Sequence, residues 1–119
     1  MKLSNSELEV MSLLWSLGEL KASTIADLLE RKRNWHRNTI YTLLSRLANK
    51  KAIRREDPGY LCFPMVSEEE VQKNRSKDMV EKLFAGEPTQ FLTAYYSGRK
   101  ITQKEAEDLK RTIDELLKQ

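Results

Sequence analysis

Between Arg31 and Arg55 the chain carries nine lysines and arginines and not one acid. Such a block sets up a local positive field that attracts phosphate and makes the resulting complex salt-dependent. Asn38, Thr39, Tyr41, Thr42 and Ser45 are interleaved with it, at positions that a helix over 37–50 leaves outside once Ile40, Leu43, Leu44 and Leu47 face a core. Amide and hydroxyl groups of this kind hydrogen-bond base edges, and a threonine methyl can meet a thymine methyl. Arg37, Arg46, Lys50 and Lys51 have the charge and reach of phosphate clamps, and Arg54 and Arg55 can extend to the backbone or an adjacent minor groove. The chemistry on offer is recognition of double-stranded DNA.

Catalysis lacks its parts. There is no Gly-rich phosphate loop, no His-based dyad and no carboxylate pair in an apolar setting, so no enzyme activity and no cofactor are expected. Cys62 is the only cysteine and His36 the only histidine, which rules out an internal disulfide and leaves no ligand set for a metal. Cys62 reads as a buried thiol, Trp15 and Trp35 as core aromatics, and His36 as a residue flanking the third helix.

The elements that must position the basic block follow from local signals. Ser4 and Glu7 have the spacing of a capping box, and a first helix over 5–17 places Leu8, Met11, Leu14 and Trp15 on one face before Gly18. A second helix over 22–32 buries Ile25, Leu28 and Leu29, with Asn34-Trp35-His36 as the break before the third helix. Residues 52–56, the turn Asp57-Pro58-Gly59, and 60–66 then read as a strand, a reversal and a second strand, which Pro64 marks as an edge. Three helices and a two-stranded β-wing make a winged helix-turn-helix, so the fold class is mainly α with a helical C-terminal region.

That region, 67–119, is expected to be a dimerisation domain distinct from a DNA-binding domain over 1–66. The charge divides the same way, with a net +4 before residue 67 and −1 after it. Capping-box spacings at Ser67/Glu70 and Thr102/Glu105 start two helices, and Pro88 suits the first turn of a short one between them. Their narrow stripes offer little volume for a separate core, so a second copy is the economical cover for Val80, Leu83, Phe84, Phe91, Leu92, Tyr95, Leu109, Ile113 and Leu116. No segment approaches the ~20 apolar residues of a membrane span and no signal-peptide core follows Met1, so a cytoplasmic protein without membrane insertion is expected.

Ser6-Glu7-Leu8-Glu9-Val10-Met11 with Leu14-Trp15, then Trp35 and the run Asn38 to Leu47, resemble the penicillinase and methicillin-resistance repressor family (BlaI/MecI), with the related copper-responsive CopY branch. The resemblance implies a homodimer intertwined through its tail, with Thr39, Tyr41, Thr42, Ser45 and Arg46 at the major groove of a palindromic operator. It also implies an upstream signalling protease, since the β-lactam repressors are cut at an Asn-Phe bond in the tail. The aligned pair here is Ala94-Tyr95, a departure from that pattern. The copper branch ends in Cys-x-Cys, whereas this chain closes Leu116-Leu117-Lys118-Gln119. Glycine is usual in the family where Lys51 stands, which implies an altered end to the third helix. Two other functions stay open at this point: a winged-helix module docking on an acidic protein, and a small-molecule-responsive regulator with a pocket beside Tyr95 and Tyr96.

Overall fold

In the computed structural model, which describes residues 1–119, Ser4 Oγ accepts the Glu7 N–H at 3.1 Å and Glu7 Oε1 accepts the Ser4 N–H at 2.8 Å. This reciprocal cap satisfies two orphan donors and opens α1 (Asn5–Leu17), which Gly18 closes at φ 83. α2 (Ala22–Arg33) ends on Asn34 in the left-handed region, and α3 (Arg37–Asn49) follows within a few residues. Ile40, Leu43, Leu44 and Leu47 of α3 are buried, as their spacing predicts, against Val10, Met11 and Leu14 of α1 and Ile25, Ala26 and Leu29 of α2. Each fully buried aliphatic side chain contributes on the order of 2 kcal/mol. Leu28 is only half-buried, and Ala26 takes the inner position instead.

Lys51 ends α3 in a conformation suited to glycine. Its φ is 63°, its N–H reaches Ala48 O at 3.0 Å, and the Ala52 N–H reaches Leu47 O at 2.9 Å. Those two bonds form a Schellman motif, with a lysine at the left-handed site where Cβ is sterically opposed. Lys51→Gly is therefore expected to stabilise the fold by about 1 kcal/mol. In thermal denaturation this is a rise in Tm of several degrees. An unchanged or lower Tm would show that the lysine makes compensating contacts.

The sheet differs from expectation. β1 (Leu20–Lys21), β2 (Ile53–Glu56) and β3 (Leu61–Pro64) form three antiparallel strands in the order β1-β3-β2, where the sequence pointed to two. β3 is therefore central and not an edge. Pro64 is tolerated because Met65 N–H bonds Ala52 O at 2.8 Å, which turns the Pro64 nitrogen away from β2. On that other side β1 is already over, since it pairs only Leu20 with Cys62 and Lys21 with Leu61.

Two compact units divide the chain at Asn74/Arg75, inside α4 (Glu68–Leu83). The first unit thus takes in the opening turns of α4, beyond the expected end at residue 66. Val71 packs on its core, and the Ser67 hydroxyl accepts the Glu70 N–H. The second unit holds the rest of α4, α5 (Pro88–Tyr95) and α6 (Gln103–Leu117), the last opened by a complete capping box from Thr102 and Glu105. None of its residues is fully buried.

Candidate nucleic-acid interface

α3 presents Asn38, Thr39, Thr42, Ser45 and Arg46 to solvent, and Tyr41 is half-buried at the edge of the core. Thr42 Oγ1 donates to Asn38 O at 2.9 Å. This fixes the threonine rotamer and leaves the hydroxyl as an acceptor, with the methyl as the apolar contact on offer. Arg46 is exposed and belongs to none of the ion pairs described below.

The block that is free of acids along the sequence meets acids in space. Arg33 pairs with Glu9 of α1, and Arg37 pairs with both Asp27 and Glu30 of α2. Hydrogen bonds that Arg37 donates to Asp27 and Glu30 raise its pKa above the ordinary value. These contacts hold the start of α3 against α2. Lys50 reaches inward as well: its Nζ lies 2.7 Å from Glu7 Oε1 and 2.7 Å from Lys2 O. Glu7 is 2% exposed, so the Lys50 charge is matched to a buried carboxylate. Burial opposes ionisation of Glu7, but the Lys50 hydrogen bond, the Ser4 backbone and hydroxyl, and the Lys50 charge together hold its pKa below the ordinary value. Of the cations expected to touch phosphate, Arg37 and Lys50 thus have ion-pair partners within the fold, whereas Arg46 on α3 belongs to none of these pairs.

On the wing, Arg54 and Arg55 lie on aromatic shelves. Arg54 stacks over Phe63 at 4.5 Å, the residue directly opposite it in the β2/β3 register, and pairs with Glu56 at 2.7 Å. Arg55 stacks over Tyr60 at 3.7 Å and donates from Nε to Asp57 at 3.1 Å. Tyr60 was not among the sequence-derived candidates. Its ring meets Tyr41 of α3 edge-on at 5.9 Å and 69°. Burial raises the pKa of its phenol, against the charge of Arg55 and hydrogen bonding from Ser45 and Arg55. Register around the Pro-Gly reversal could have revealed the Arg54/Phe63 pair, but the Tyr41 contact is tertiary.

The other singled-out residues take structural places. Trp15 Nε1 donates to Val66 O at 2.9 Å, and Trp35 packs half-buried on the core. His36 occupies the N-cap position of α3 without a side-chain cap bond. Cys62 is buried, and desolvation pushes its thiol up to about 11, so it stays a neutral thiol at neutral pH.

In the second unit, Phe84, Phe91, Tyr95 and Tyr96 form a continuous run of ring contacts, and Arg99 lies over both tyrosines at 5.1 Å. Val80, Phe84, Phe91, Leu92 and Leu109 are half-buried, whereas Leu83, Tyr95, Ile113 and Leu116 are exposed. Ala94 and Tyr95 lie at the end of α5. An open groove of about 410 Å³ is lined by Phe84, Thr89, Gln90, Thr93, Ala94 and Ser97, so it does not involve Tyr95 and Tyr96. No helix is long and apolar enough to cross a membrane.

The profile of the penicillinase repressor family matches residues 3–115. An uncharacterised 16.5 kDa protein from Latilactobacillus sakei is 31% identical over 94% of this chain and 78% of its own length. The methicillin resistance regulatory protein MecI of Mammaliicoccus sciuri is 25% identical over 95% of this chain and 94% of its own. Among solved structures, monomeric Bacillus licheniformis BlaI in complex with the blaP half-operator superposes with a TM-score of 0.51 at 28% identity, covering 59% of this chain and 88% of that one. Over that part of the chain the fold is accordingly the winged helix of BlaI.

Proposed function

The chain belongs to the penicillinase repressor family, and from that premise we propose that it is a transcriptional repressor whose homodimer binds a palindromic operator, one α3 per half-site. The observation that carries this reading is the outward set Asn38, Thr39, Thr42, Ser45 and Arg46 on one helix, with the wing arginines beside it. The similar BlaI was solved on a half-operator, which supports DNA as the ligand. Thr42 and its neighbours address base edges, and Arg46, Arg54 and Arg55 address phosphates. The exposed apolar residues of the second unit are the proposed surface for the second copy.

Titration of a dyad-symmetric duplex, selected by the protein from a random library, tests the proposal across a range of salt. Specific binding with a steep negative salt slope is expected, and a flat response or no sequence preference would overturn it. Arg46→Ala should weaken binding to all duplexes alike and reduce the salt slope by about one. Thr42→Ala should instead compress discrimination at one base position, by ~1–3 kcal/mol. Two variants that bind every duplex as the parent does would exclude α3 as the reading helix.

A further inference from the structure

We propose that Tyr60 is a positioning residue that locks the wing arginine Arg55 to the reading helix, so that α3 and the wing meet DNA as one rigid clamp. This rests on the reading of α3 as the DNA-contacting helix. Apart from the hydrogen bonding at its hydroxyl, three ties converge on Tyr60. Its carbonyl accepts the N–H of Ala22, the first residue of α2, at 2.9 Å. Its ring meets Tyr41 of α3 edge-on, within the range in which aromatic pairs attract. Its third partner is Arg55, whose guanidinium lies 3.7 Å from the ring centroid.

The backbone makes this placement unusual. Tyr60 has φ 51°, a left-handed conformation that a bulky residue adopts only where its surroundings enforce it. A glycine or asparagine would make the same turn without the ring, so what the tyrosine adds is the ring's contacts. Asp57 completes the hold by taking Arg55 Nε, which leaves the guanidinium stacked on one side and tethered at its base. Without the ring Arg55 keeps its charge but regains rotamer freedom, which binding must then remove.

The test uses the full-length protein, with and without the selected duplex. In the free protein, ¹⁵N relaxation of the Arg55 Nε–H should show an ordered group in the parent and in Tyr60→Phe, and a mobile one in Tyr60→Leu. Operator affinity should be near the parent's for Tyr60→Phe and roughly five- to tenfold weaker for Tyr60→Leu. In an Arg55→Ala background, Tyr60→Leu should have no further effect. An Arg55 that stays ordered in Tyr60→Leu, or an equal loss of affinity with and without Arg55, overturns the proposal. Should Tyr60→Leu fail to fold, a mobile Arg55 in Tyr60→Phe or in the parent overturns it just as well. If the parent binds no duplex specifically, it is the repressor reading that fails, while the relaxation data still report on the lock.

Discussion

Ile113→Glu combined with Leu116→Glu is expected to leave a folded monomer that binds the palindromic duplex at least ~100-fold more weakly than the parent. Ile113 is 51% exposed and Leu116 58% exposed, so glutamates at both meet water in a single chain and cost the protomer little. In a two-copy interface the same groups would be buried unpaired, which neither copy can tolerate. Once the copies separate, each half-site is bound by one winged helix alone, and the effective-concentration advantage of two linked modules, typically 10²- to 10⁴-fold, is lost. Affinity for an isolated half-site should be almost unchanged. Sedimentation equilibrium and titrations on whole and half sites check both parts. A variant that still sediments as a dimer, or a parent that sediments as a monomer, would remove the second unit from the interface.

Where structure follows from residues close in sequence, it could be read in advance. The Ser4/Glu7 and Thr102/Glu105 caps form as their spacing requires, because donor and acceptor are three residues apart. The buried face of α3 was equally legible, since periodicity alone fixes which residues of a helix lie together. β1 was not, because two residues carry no period and the strand exists only through pairing with Leu61 and Cys62. The role of Pro64 was misjudged for the same reason: whether its missing N–H matters depends on how far β1 extends. Arg37 and Lys50 look like free cations in a linear reading, and only folding brings Asp27 and Glu30 to one and Glu7 to the other. Charge counted along a chain measures supply, whereas the field at a surface depends on what remains unpaired. The apolar stripes of the second unit were plain in the sequence, yet what covers them is a property of the assembly.

The Lys50–Glu7 pair gives the sharpest stability test, because one partner is inside and the other is at the rim. Lys50→Ala should destabilise the protein by about 2–3 kcal/mol, less than the ~3–5 kcal/mol for breaking a fully buried pair, because water can follow into the space of a side chain that was 36% exposed. Glu7 Oε2 is already buried without a hydrogen-bond partner, so the remaining carboxylate would have only Ser4 to support its charge. The pH dependence should change sign at this site. In the parent the Glu7 pKa is held low, so its contribution to stability is complete above the unfolded value of about 4.3 and is lost as pH falls through the folded value. Without Lys50, burial is opposed by the Ser4 hydrogen bonds alone and the pKa rises, so the variant is penalised at neutral pH and recovers toward the parent as the medium is acidified. Glu7→Gln with Lys50→Met keeps an acceptor at the capping-box position and removes both charges, and it should regain most of the loss with a flat pH profile. Denaturant unfolding from pH 4 to 8 measures all three proteins, and a Lys50→Ala midpoint matching the parent's throughout would mean that the pair does not hold α3 to α1. The double variant also separates two uses of the lysine. If Lys50 serves the fold, its operator salt slope equals the parent's, whereas a slope lower by about one would return Lys50 to the phosphate contacts.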